Sequence, residues 1–309
     1  MKKLGMMRVD GRSFWFAGYF NRFDRDRMIR YAGQARADRF LESFDGRLPF
    51  ADARVVRVLD NDAIAAAQFA ETFDVEIARD IDHFAEGLDG VIVPFPAGGP
   101  ARDYAVVRPL VERGLPLFLD RIILEQSKAL QSLCDLAVAR QAPLLVSAFT
   151  RYLAPLVLPE PTARPDAVIV TAGGDPDGYG ADLLDLVDEL MDAPPQRAIN
   201  VGHDRADVLR ILYPDNRHAI LQLFHGPKPP MTVEVIGNGW TKHMELDGSQ
   251  NHFGAMRQFD AFLHSIDTRL PAVTYDRLQR NAAILHFASQ RKPSVVEGGL
   301  DLSFGRLAM

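Results

Sequence analysis

The stretch LLDLVDELMD, residues 183–192, sets Asp185 and Glu189 four positions apart, on one face of a helix predicted from Ala181 to Met191. Paired carboxylates suit acid–base work when burial lifts one pKa toward neutrality, and Glu189 is then the proton acceptor. Asp182, Asp188 and Asp192 make the same helix broadly acidic, which is also how a solvated face reads. No ligand set with recognised metal spacing is present, so no metal is expected.

A second group of residues has the chemistry of nucleotide binding. Asp60 ends the strand-like run ARVVRVLD. A carboxylate there accepts hydrogen bonds from an adenosine ribose and repels a 2′-phosphate, which favours NAD over NADP. Asn61 and Asp62 supply no arginine to reverse that preference, and the alternative role for Asp60 is to cap the next helix. Upstream, the first strand runs into Val9-Asp10-Gly11-Arg12-Ser13-Phe14-Trp15. Gly11, with Arg12 as a cation and Ser13 as a hydroxyl donor, makes a phosphate turn. Asp10 opposes phosphate unless turned away, and the same stretch reads equally as a plain strand-to-helix turn.

These residues need a scaffold, and the pattern of the chain predicts one. Apolar runs at Lys3–Val9, Ala53–Leu59, Gly90–Val93, Leu115–Leu119 and Pro143–Ser147 alternate with helical stripes at 62–73, 104–111 and 127–140. Strands separated by helices of that length imply a parallel sheet covered on both faces. From Asp166 onward, β-branched runs separated by turn chemistry such as Gly237-Asn238-Gly239 predict an antiparallel sheet, closed by helices at 251–266 and 275–290. The fold class is therefore α/β, an N-terminal doubly wound parallel sheet followed by an α+β domain. The boundary is placed near Ile123, giving domains 1–123 and 124–309.

Bulk properties exclude several classes. A net charge of −6 with no basic block argues against nucleic acid. No apolar run approaches the length of a membrane span, and the N-terminal apolar stretch is too short for a secretion signal, so a cytoplasmic location is expected. Cys134, the single cysteine, lies in an apolar helical pattern and reads as a buried, inert thiol. The aromatic run Phe14 to Phe23 reads as core, with a sugar-stacking wall as the functional alternative.

Three segments together resemble the Gfo/Idh/MocA family of glucose–fructose oxidoreductase, inositol dehydrogenase and relatives. They are residues 54–96, RVVRVLDNDAIAAAQFAETFDVEIARDIDHFAEGLDGVIVPFP; residues 106–155, from VVRPLVERGLPLFLDRI to SAFTRYLAP; and the helical residues 253–296. The resemblance implies a Rossmann domain and an open-faced sheet domain. It also implies hydride transfer with NAD on a sugar, cyclitol or related polyol, and a homodimer or homotetramer formed through the C-terminal sheet. The implied cofactor set is Gly11, Arg12, Ser13, Asp60, Asn61, Pro96 and Asp120. The implied catalytic set is Arg121, Tyr152, Asp185 and Glu189.

The chain departs from the family pattern at three places. One glycine remains in the phosphate loop. Asp120-Arg121-Ile122 stands where the family has Glu-Lys-Pro, and an arginine is a poor proton carrier although it can hold an oxyanion or carboxylate. Glu189 stands where the family has a histidine. The alternative function is accordingly a binding or partner subunit on a dehydrogenase fold, without redox activity.

Overall fold

The computed structural model describes residues 1–34, 37, 38, 40, 44, 48–95, 104–120, 127–160, 162–174, 179–226, 229–246, 248, 250–289, 300 and 301. The chain divides into two compact units. Unit 1 comprises Met1–Arg121, Lys128–Val146 and Phe259–Ala272; unit 2 comprises Ile122–Ser127, Ser147–Gln258 and Val273–Met309.

Unit 1 is built on six strands: β1 (Lys2–Met7), β2 (Ala53–Leu59), β3 (Glu76–Ile77), β4 (Gly90–Val93), β5 (Leu117–Leu119) and β6 (Leu144–Val146). Their order is β3-β2-β1-β4-β5-β6 and every pairing is parallel. β4 and β5 are buried at every residue, as strands covered on both faces must be. The order reverses between β1 and β4, and that switch point is where doubly wound sheets open a ligand crevice beyond the carboxyl ends of the strands. Gly90 is needed in β4: a Cβ there would lie 2.8 Å from the Ile266 side chain and 3.0 Å from Phe262.

The aromatic run forms a short helix, Gly11–Ala17, that the sequence pattern did not define. Phe14 packs on Phe69 and Phe73, Phe16 on Phe118 and Phe259, and Tyr19 on Phe40 and Phe259. Phe14, Phe16, Tyr19 and Phe20 are buried, so these rings are core and not a wall for a sugar. Cys134 is buried as well, and burial pushes its thiol up to about 12, consistent with an unreactive side chain.

Unit 2 carries seven strands: β7 (Ala167–Gly173), β8 (Arg197–Asn200), β9 (Ala206–Leu212), β10 (His218–Phe224), β11 (Met231–Gly237), β12 (Trp240–Leu246) and β13 (Leu300–Asp301). The order is β12-β11-β7-β10-β9-β8-β13; β7 and β10 run parallel and the other neighbours antiparallel. One face of the sheet is buried, through Val168, Val170 and Ala172 of β7 and Ala219, Leu221 and Leu223 of β10. Helix Ala181–Met191 covers β7 and β10 and packs on helix Tyr275–Ser289. Alternate residues of the same strands stay half-buried or exposed on the opposite face.

Candidate functional site

The turn after β1 keeps the backbone of a dinucleotide-binding loop while changing its side chains. Such a loop has three glycine positions, the first for a tight turn, the second for close approach of phosphate, the third for helix–strand packing. Here Arg8 adopts the left-handed conformation, with φ 68°. Asp10 is the N-cap of helix Gly11–Ala17, and Ser13 is fully buried beneath it. Positions 8, 10 and 13 reproduce the G-x-G-x-x-G spacing with no glycine among them. Gly11, taken from sequence as the surviving loop glycine, is the first residue of the helix and does not have positive φ.

The polar groups of this turn bond to one another. The Arg12 and Ser13 amides donate to Asp10 Oδ1 at 2.8 and 3.1 Å, and Ser13 Oγ accepts from the Asp10 amide at 2.8 Å, which completes a capping box. The Arg12 guanidinium reaches across the switch point to the Asp120 carboxylate after β5 and to the Phe95 carbonyl after β4. Asp120 Oδ1 accepts from the Phe95 amide at 2.8 Å. Asp60 accepts from the Val9 amide and, at 2.7 Å, from the Asp62 amide. Asn61 is exposed beside it. Pro96 and Arg121 lie outside the described residues.

The fit to a dinucleotide is therefore divided. The adenosine end fits, because Asp60 stands half-exposed at the end of β2 with acceptor capacity for a ribose diol. The pyrophosphate does not fit the turn as it stands, because the Asp10 carboxylate already holds the amides that would receive it.

In unit 2 the acidic helix differs from its solvated reading. Asp182, Asp185 and Asp188 are all buried, and Glu189 is the one residue of Ala181–Met191 that is exposed. Their partners come from distant sequence. Asp185 accepts from the Ala148 amide at 2.6 Å and from Asn281 Nδ2 at 3.3 Å. Arg151, 5% exposed, pairs with Asp188 at 2.8 Å and also with Glu189. Arg277 closes the ring with Nε 3.1 Å from Asp188 and Nη1 3.9 Å from Glu189.

Burial falls on Asp185 and not on Glu189. Burial raises Asp185 to about 7, against the pull of the nearby Arg151 charge. Glu189, 42% exposed and held by two guanidinium groups, is not the buried proton acceptor expected from sequence. Burial also pushes the Tyr152 phenol up to about 12. Tyr152, Arg151 and Glu189 line a cavity of about 950 Å³ whose walls all belong to unit 2 and do not include Asp185. That volume is in the roughly 300–1,000 Å³ range of small-molecule sites.

Sequence reasoning missed Arg277 and Asn281, which no local motif marks. It also missed the His225–Asp207 pair, Nε2 to Oδ2 2.7 Å, in which the imidazole Nδ1 lies 3.1 Å from the Asp204 carbonyl and so ties β10 to the turn before β9. Among the described residues no cluster able to hold a metal is present, and no helix is long and apolar enough to cross a membrane.

Comparison with known proteins supports the fold from two directions. The model of the Gfo/Idh/MocA oxidoreductase family, NAD-binding Rossmann fold, matches residues 30–148, a span that begins after the turn described above. No curated protein sequence matches the chain. Among solved structures it is similar to myo-inositol 2-dehydrogenase from Lactobacillus plantarum, with TM-score 0.68 at 11% identity over 97% of this chain and 99% of that one. It is similar to UDP-N-acetylglucosamine 3-dehydrogenase from Acidithiobacillus ferrooxidans, with TM-score 0.63 at 14% identity over 93% and 95%. GenD2 from gentamicin A biosynthesis, solved in complex with NAD, gives TM-score 0.62 at 13% identity over 97% of each chain. Residues 30–148 thus belong to the Gfo/Idh/MocA oxidoreductase family, and the chain as a whole has the fold of these dehydrogenases.

Proposed function

We propose that the protein is an oxidoreductase acting at a CH–OH carbon of a sugar, cyclitol or related polyol, with NAD(H) as its cofactor. The observation that carries this reading is the acid centre of unit 2, which borders a cavity of small-ligand size. Tyr152 lines the cavity and its phenol, pushed up to about 12, keeps its proton at neutral pH, so its hydroxyl donates a hydrogen bond to the substrate oxygen. Glu189, paired with Arg151 and Arg277, accepts hydrogen bonds from substrate hydroxyls. Asp185 is a positioning residue, because through the Ala148 amide it fixes the turn that presents Arg151 and Tyr152. Arg121 is assigned a substrate-orienting role, and Asp60 the ribose.

The test is a panel of cyclitols, aldoses and sugar acids, assayed with each nicotinamide cofactor by the absorbance of the reduced form. Turnover with NAD(H), reduced at least 100-fold in Tyr152→Phe while the melting temperature holds, is the expected result. No turnover across the panel and no dinucleotide-induced thermal shift would replace this reading with that of a partner subunit.

Self-association through the open face of the unit 2 sheet is part of the proposal. Strand register sets Arg210, Ile220, Ile169 and Glu234 in one row across β9, β10, β7 and β11, with Val208, Gln222, Thr171 and Thr232 in the next. All eight are half-buried or exposed. A second copy turned about a two-fold axis parallel to the strands, midway between β10 and β7, brings Arg210 opposite the partner's Glu234 and Ile220 opposite the partner's Ile169. Glu234→Arg should then give a smaller species by light scattering, and adding Arg210→Glu should restore the original mass. An unchanged mass in the single variant removes this face from the assembly.

A further inference from the structure

Unit 1 holds a feature that neither the family match nor the fold explains: a carboxylate seated where a dinucleotide would place its phosphates. Asp10 occupies the second position of the loop spacing, the one at which a missing side chain lets phosphate approach the backbone. Its Oδ1 takes the amides of Arg12 and Ser13, and its Oδ2 lies 3.4 Å from the Arg12 guanidinium. Arg12, which shares the turn with Arg8, is committed to Asp120 and the Phe95 carbonyl across the switch point. The two amides and the Arg12 guanidinium are therefore satisfied from within the chain, and the Arg8 guanidinium lies over the Phe95 ring, 5.8 Å from its centroid.

We infer that Asp10 is the residue that limits cofactor affinity, a side-chain anion that a dinucleotide must displace before its pyrophosphate can reach the turn. This inference rests on NAD(H) being the cofactor. It accounts for the retention of the loop's backbone, left-handed at Arg8 and extended at Asp10, in the absence of all three glycines. Displacement breaks the capping box, so binding is weakened by the loss of those bonds as well as by repulsion between carboxylate and phosphate.

Titration calorimetry of NAD⁺ and NADH against the wild type, Asp10→Gly and Asp10→Asn at one salt concentration tests it. Asp10→Gly should bind at least tenfold more tightly than wild type. Asp10→Asn should fall between them, because asparagine still caps the helix but carries no charge. If Asp10→Gly does not fold, the neutral Asp10→Asn decides: affinity equal to wild type overturns the inference. Equal and measurable affinity in all three proteins overturns it while leaving the cofactor assignment standing. No binding by any of the three overturns both.

Discussion

The switch point of unit 1 and the acid centre of unit 2 both gather carboxylates around an arginine, yet they leave those charges in different conditions. Around Arg12, half-exposed Asp10 and buried Asp120 are each gripped by the same guanidinium and by backbone amides, and the result is a closed turn. Around Arg151, buried Asp188 and exposed Glu189 share two guanidinium groups, while buried Asp185 is held by the Ala148 amide and Asn281 and is left with more burial than compensation. The first arrangement suppresses an anion site; the second holds a proton near neutral pH. The same residue types thus give opposite chemistry according to whether a guanidinium grips the carboxylate directly and how far burial outweighs its compensation.

The largest effect expected from breaking this contrast is on stability. Arg151→Met removes one of the two cations paired with buried Asp188, and the one near buried Asp185, and should cost about 3–5 kcal/mol in urea unfolding, the usual penalty for breaking a buried ion pair. Arg12→Ala should cost less, about 1–3 kcal/mol, because Asp120 keeps the Phe95 amide and the Arg12 side chain is 23% exposed against 5% for Arg151. Equal costs would mean that the two centres are energetically alike and that the contrast is only geometric.

A smaller effect sharpens the comparison through pH. Unfolded, Asp185 titrates near its ordinary value of 3.8; folded, it titrates near 7. Between those values the folded chain binds more protons than the unfolded one, so this group's contribution to stability falls as pH rises from about 4 to about 7 and stays low above that. Asp185→Asn has no such titration and keeps an oxygen for the Ala148 amide. Its stability relative to wild type should therefore improve between pH 5 and about 7 and level off above that, read as the difference in melting temperature. A constant difference across that range would show that Asp185 is ionised in the folded protein throughout.

How much of this was legible follows from distance along the chain. Helix Ala181–Met191 was readable to the residue, because Leu183, Leu184, Val187 and Leu190 form a local stripe. β2, β4 and β12 were equally plain, as apolar or alternating runs bounded by turn residues. The burial of the acids on that helix was not readable, since their partners sit 37 residues upstream at Ala148 and Arg151 and up to 96 downstream at Asn281. At the phosphate turn the relevant signal is a backbone angle. A left-handed arginine at position 8 has no sequence signature, so attention fell on Gly11 instead. Helix Gly11–Ala17 escaped because seven residues rich in aromatics do not establish a period.

The reach of Arg277 and Asn281 back to Asp188 and Asp185 also sets an order of events during synthesis. At about 5–20 residues per second, a gap of 89 to 96 residues means roughly 5–20 s between the making of these aspartates and the making of their last partners. Over that interval the nascent acidic helix has its apolar stripe and Arg151, made earlier, but neither Arg277 nor Asn281, so part of its negative charge is uncompensated. Helix Tyr275–Ser289 supplies the remaining partners of that helix, which ties completion of its packing in unit 2 to the emergence of residues 275–289.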